Sequence, residues 1–132
     1  MSVDLDIYNG VFKAVDAALS PMVYPNISGD GTKPYYRINI LKIPTTPLGV
    51  ATTDIHEGII QIDVVVMEGI GVISPQSRVA TVLGLFPRNS RITENNTVIR
   101  FDRSGWQSPP IQSGGEFFIP VNFQFIVLTN EV

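Results

Sequence analysis

Few side chains in this sequence have types and spacings that could do chemistry. The one histidine, His56, lies between Asp54 and Glu57, a triplet that suggests a metal or an acid–base site. A single imidazole with two acids on a loop supplies neither a rigid ligand set nor a desolvated pocket, so a solvated loop residue is the better reading. Serines are present, but there is no G-x-S-x-G elbow and no second histidine to act as base. Gly69-Ile70-Gly71 lacks the third glycine and the Lys-Ser/Thr ending of a phosphate loop and reads as a strand-to-helix turn. Glu57 and Glu68 fall at opposite ends of one predicted strand and read as solubilising acids. The absence of cysteine excludes disulfides, thiolate chemistry and Cys-based zinc sites. Asn95-Asn96-Thr97 matches a glycosylation acceptor, which carries meaning only in an exported protein. No catalytic, cofactor-binding or metal-binding residue is therefore expected, and no cofactor. Trp106, in a polar connection, reads either as an interface aromatic or as a side chain packed locally over a sheet edge.

These residues must be positioned by elements that the hydrophobic pattern reveals. Ile7, Val11, Val15 and Leu19 recur at helical spacing and predict a helix over 3–20, with Asp4, Asp6, Lys13 and Asp16 off the stripe and Pro21 as its stop. Prolines and glycines from 21 to 34 leave no room for regular structure. Alternation predicts a strand at 35–42, and a clearer one at 59–67, where Gln61 and Asp63 oppose Ile60, Ile62 and Val64. Ser74 and Pro75 open a second helix running to about Phe86. A strand at 97–102 is followed by a polar connection, and the last strand, 116–129, alternates cleanly. The expectation is one α+β domain over 1–132: a four-stranded, mainly antiparallel sheet, two helices packed on one face, and a long loop or hairpin arm between strands 1 and 2. The uncovered face would carry Arg37, Asn39, Gln61, Asp63, Arg100, Asn122 and Gln124.

A chain of 132 residues, 44% hydrophobic and 16% charged, can bury one core and does not have the composition of a disordered segment. Its net charge of −3 and its nine basic residues, scattered as singles, predict no affinity for duplex DNA. No secretory signal is read at the acidic N-terminus, and no apolar run is long enough to span a bilayer.

The sequence resembles the phage tail terminator-like proteins. The resemblance is carried by Glu57-Gly58-Ile59-Ile60-Gln61-Ile62-Asp63-Val64, then Gly69-Ile70-Gly71, a helix ending Leu85-Phe86-Pro87, a Thr97–Phe101 strand, and Phe117-Phe118-Ile119-Pro120-Val121-Asn122-Phe123-Gln124-Phe125. The N-terminal helix and Pro34-Tyr35-Tyr36-Arg37 fall in the expected places. The resemblance implies a virion structural protein without cofactor, made in the host bacterial cytoplasm. It would form a ring, typically a hexamer, at the head-proximal end of the tail tube. That ring stops tube polymerisation and meets the head connector, and DNA passes through its lumen without specific binding. Two other readings stand beside this one. The first is a head–tail connector or neck protein. The second, from another class, is a small-molecule-binding or enzymatic α+β domain, which a deep polar pocket with convergent titratable groups would favour.

Residues 44–58 form an unusually long connection, rich in Pro and Thr. Beside the alternative of a plain surface hairpin packed on its own domain, the expectation is an arm, mobile in the free subunit, that orders against a neighbouring subunit or the tube. Thr46, Leu48, Val50, Thr52 and Ile55, together with Trp106, are its candidate assembly interface.

Overall fold

The structure, a computed structural model, describes residues 3–19, 22–23, 34–47, 53–67, 69, 73–95, 97–114 and 116–130. Helix α1 (Val3–Ala18) leads to a two-residue strand β1 (Met22–Val23) and then to the long hairpin of β2 (Tyr35–Pro47) and β3 (Thr53–Met67). Helix α2 (Ile73–Leu83) follows. Next come β4 (Ser90–Glu94), β5 (Thr97–Phe101), β6 (Trp106–Gln107), β7 (Ile111–Ser113) and β8 (Glu116–Asn130).

The eight strands among the described residues join one sheet in the order β1-β2-β3-β8-β5-β4, with β6 and β7 also pairing β8. Six of the seven pairings are antiparallel, and the pairing of β1 with β2 alone is parallel. The expected four-stranded sheet is therefore wrong, although the α+β class stands. The four missed strands are short or interrupted. β1 falls in a segment read as irregular. β4 has one apolar residue, Ile92, and half-buried positions that alternate with exposed ones.

The polar connection after β5 is a broken strand. Its partners on β8 descend in step: Arg100 with Ile126, Trp106 with Asn122, Gln107 with Val121, and Ile111 with Phe118. Extra residues bulge out between these contacts, and Pro109 and Pro110, which cannot donate to a ladder, fall in one of the gaps. Ser108 N–H donates to Pro120 O at 2.8 Å and keeps the segment on β8. Ser113 pairs Glu116 across a two-residue connection in which Gly114 has φ +58°, as tight hairpins demand.

The core lies on one face of this sheet. Ile38, Ile60, Ile62, Ile119, Val121, Phe123, Ile99 and Phe101 meet Ile7, Val11 and Val15 of α1 and Val79 and Val82 of α2 in a single cluster. α2 ends at Leu83, three residues before the expected stop, and Phe86 reaches the core from the turn beyond. It stacks on Phe101 at 4.5 Å and meets Phe123 edge-on at 5.0 Å.

α1 comes close to the sheet because residue 10 is glycine. A Cβ there would sit 3.2 Å from Ile92 and 3.3 Å from Ile99, so what helix propensity loses at Gly10, packing recovers. Asp6, expected on the solvent side, is 2% exposed. Its carboxylate accepts from Thr97 Oγ1 at 2.6 Å and from Asn95 Nδ2 at 3.1 Å, which ties α1 to the β4–β5 turn.

Gly58 sits mid-strand between Lys42 and Phe125. A Cβ there would lie 2.5 Å from Leu41 O and 2.9 Å from Phe125 Cζ, so only glycine lets the three strands approach this closely. Replacing Gly58 by alanine should cost at least the ~1–3 kcal/mol typical of overpacking. Urea unfolding of the two proteins, with unchanged m-values, measures it.

Candidate assembly interface

The face of the sheet opposite the helices is built in rows by the register. One row is Tyr35, Val65, Phe118 and Ile111, and the next is Arg37, Asp63 and Pro120. Then come Asn39, Gln61, Asn122 and Trp106, followed by Leu41, Ile59 and Gln124. Ile43, Glu57, Ile126, Arg100 and Arg91 form the last. The polar residues expected on the uncovered face are thus on it, because two-residue periodicity fixes the side of each residue once the core face is known.

At one end this face holds a connected polar network. Arg37 Nε donates to Asp63 Oδ2 at 3.1 Å and Arg37 Nη1 to Glu116 Oε1 at 3.3 Å. Tyr35 O–H donates to the other Glu116 oxygen at 2.6 Å, and Gln61 Nε2 to Asp63 Oδ1 at 3.1 Å. The Arg37 guanidinium also lies 4.8 Å from the Phe118 ring centroid, within cation–π range. Burial pulls the Arg37 pKa down, but the hydrogen bonds and charges of Asp63 and Glu116 outweigh it, and Arg37 is held above its ordinary value. Burial, followed by the hydrogen bond and charge of Glu116, pushes the Tyr35 phenol up.

The Tyr35 shift has a measurable sign. The folded state holds this proton more tightly than the unfolded chain, whose phenol titrates near 10.0. The associated stability is intact below that pH and is lost as pH rises through the raised folded value. Thermal melting between pH 9 and 11 should fall more steeply for the parent than for Tyr35→Phe, which has no phenol to titrate at that position. Equal slopes would remove the network from the account.

Away from the network the face is more apolar at its surface. Leu41, Ile43 and Trp106 are 51%, 42% and 40% exposed, with half-buried Ile59 and Ile126 near them; Ile111, 44% exposed, lies at the network end beside Phe118. Trp106 is not in a loop: it belongs to β6, paired with Asn122. Among the other expected interface residues, Ile55 is half-buried on β3 and pairs Thr46 and Leu128. Leu48, Val50 and Thr52 lie outside the described residues. Strands β2 and β3 stay paired as far as Pro47 and Asp54, so the described parts of the long connection belong to the two strands. His56, expected in a loop, is half-buried on β3 opposite Val127.

Sequence reading missed one surface feature. Arg88, Arg91, Arg100 and Arg103, read as scattered charges, line two adjoining hollows that share Asp102. They are close only because β4 folds back on β5 and the α2–β4 turn lies beside the β5–β6 bend.

The described residues include no cluster of three or more His, Asp or Glu able to hold a metal ion. No described helix is long and apolar enough to cross a membrane.

The class that these features define is a two-layer α+β domain with one sheet face left open. The family model for phage tail terminator proteins matches residues 7–125. The chain belongs to that family, whose members are structural proteins of the phage tail. A solved structure superposes with a TM-score of 0.74 over 96% of each chain, at 22% identity, a likeness that concerns the fold alone. No curated protein sequence matches the chain.

Proposed function

We propose that this chain is the terminator of a phage tail, closing as a ring of six subunits on the head-proximal end of the tail tube, stopping tube polymerisation and joining the tail to the head connector. Family membership across residues 7–125 carries this reading. The open face agrees with it, because exposed Leu41, Ile43 and Trp106 beside half-buried polar side chains have the mixed composition of a non-obligate protein interface. Thr46, Leu48, Val50, Thr52, Ile55 and Trp106 are the residues assigned to contacts with the neighbouring subunit or the tube. The subunit is made in the host cytoplasm and works in the virion without cofactor or membrane, while DNA slides through the ring's lumen.

Electron microscopy of virions carrying a labelled copy of this chain tests the proposal. Label is expected as one ring at the junction of tail and head. Label along the tube, or within the head-side connector, would refute it.

A further inference from the structure

The β4–β5 end of the sheet carries charge that the fold does not use. The register sets Arg91 directly opposite Arg100, and like charges so placed weaken a ladder. Arg100 Nη2 reaches Asp102 at 3.5 Å, but both side chains are well exposed, so the ion pair is a weak one. Arg100 Nε is buried with no hydrogen-bond partner among the described residues. Arg91, Arg100 and Asp102 line one hollow of about 210 Å³. Arg88 and Arg103 line the next, with Asp102 again in its wall. Glu57 joins Asp102 and Arg103 around a third hollow, so four of the nine basic residues gather around two of the twelve acids, and the rest of the chain holds five basic residues against ten acidic.

A carboxylate entering this end would relieve the Arg91–Arg100 repulsion by pairing with the exposed part of the two guanidinium groups. A second copy of this chain offers such groups, since its charge outside this end is strongly negative. On the outer side of α1, exposed Asp4, ion-paired to Lys42 of its own chain, and exposed Asp16 flank Leu5 and Tyr8, which are 58% and 40% exposed. α1 covers one side of the sheet, and Arg91 and Arg100 stand on the other. A contact between the two sides is head-to-tail, the kind that closes into rings.

We propose that the Arg91–Arg100 end receives an acidic surface of the neighbouring copy and supplies the electrostatic half of the subunit contact. This rests on the ring reading above.

The absence of native cysteine makes the test clean. Thr93→Cys places one thiol on exposed β4, beside the arginines but not among them. A photo-crosslinker on that thiol, activated in assembled tails, should give a product of twice the chain's mass. Adding Arg91→Glu and Arg100→Glu should reduce that product at least tenfold, in a protein whose melting temperature shows it folded. If the double reversal does not fold, Arg91→Ala should still reduce it severalfold. Undiminished cross-linking would overturn the proposal. So would a product with DNA or with a different virion protein, or duplex binding by the purified chain that the reversal abolishes. Tails lacking the chain at their head-proximal end would refute the ring reading. Tails that carry it yet yield no copy-to-copy product would refute this contact alone.

Discussion

Deleting residues 46–54 should leave a folded subunit and reduce the yield of infectious tailed particles by orders of magnitude. The deletion takes the outer end of the β2–β3 hairpin. Of the ladder pairs it removes, Thr46 with Ile55 and Pro47 with Asp54 lie beyond the irregularity after Ile43, and Thr53 with Asn130 and Asp54 with Thr129 lie at the far end of β8. The core begins further in, at Ile40 on β2 and Ile60 on β3, so cooperative unfolding should survive with little loss of stability. A segment whose described pairs lie this far from the core, and whose sequence carries Thr, Leu and Val, is suited to adding strands or apolar contacts to a neighbour. The paired measurement is circular-dichroism melting of the purified variant and plaque titre of the phage that carries it. Full infectivity from a normally folded variant would make the arm dispensable.

Replacing Phe123 by alanine should cost about 3–5 kcal/mol, the range for a buried phenylalanine, and leave little of a typical domain's stability. Phe123 is 0% exposed on β8, and β8 is the strand that pairs with β3 on one edge and with β5, β6 and β7 on the other. Its ring meets the Phe86–Phe101 stack edge-on. From the other direction the chain presses backbone against it: a Cβ at Gly105 would fall 2.4 Å from Phe123 Cε1. The hole left by truncation would therefore be walled by β8's own partners and by two aromatic rings, which have little room to collapse inward. Urea denaturation should show a lower midpoint. A loss under 1 kcal/mol would mean that the surrounding chain refills the space.

How much of this was legible in the sequence varies from element to element. Long elements with one buried face announced themselves. Ile7, Val11, Val15 and Leu19 are all 3% exposed or less, as their i, i+4 spacing requires. The alternation in β3 and β8 placed Gln61, Asp63, Asn122 and Gln124 on the open face before any partner strand was known. Short edge pieces gave no such signal. β4 has a single apolar position, and β6 and β7 are broken by bulges and prolines, so their hydrophobic period is too short to read. What makes β6 and β7 strands is the free edge of β8, and what makes β4 one is the free edge of β5, whose N–H and C=O groups need partners.

The candidate interface divides in the same way. The Thr- and Pro-rich connection was visible as an oddity of length, and Trp106 as an aromatic in a polar stretch. Its place on β6, facing a row with Asn122, Gln61 and Asn39, was not. Asp6 looked like a solvated helix residue because its partners, Asn95 and Thr97, lie about ninety positions away in the chain. The arginine cluster was hidden for the same reason.

Local sequence therefore determined what each segment does on its own: helical or extended, which side is apolar, where a proline or glycine turns the chain. Those properties depend on interactions a few residues apart, which the order of side chains states directly. The tertiary structure alone decided the sheet's final strand count, the burial of Asp6, the tight fit at Gly58 and Gly105, and the meeting of Arg91 with Arg100. Each of these depends on register between distant strands, and that register is set by the fit of the whole core rather than by any one segment.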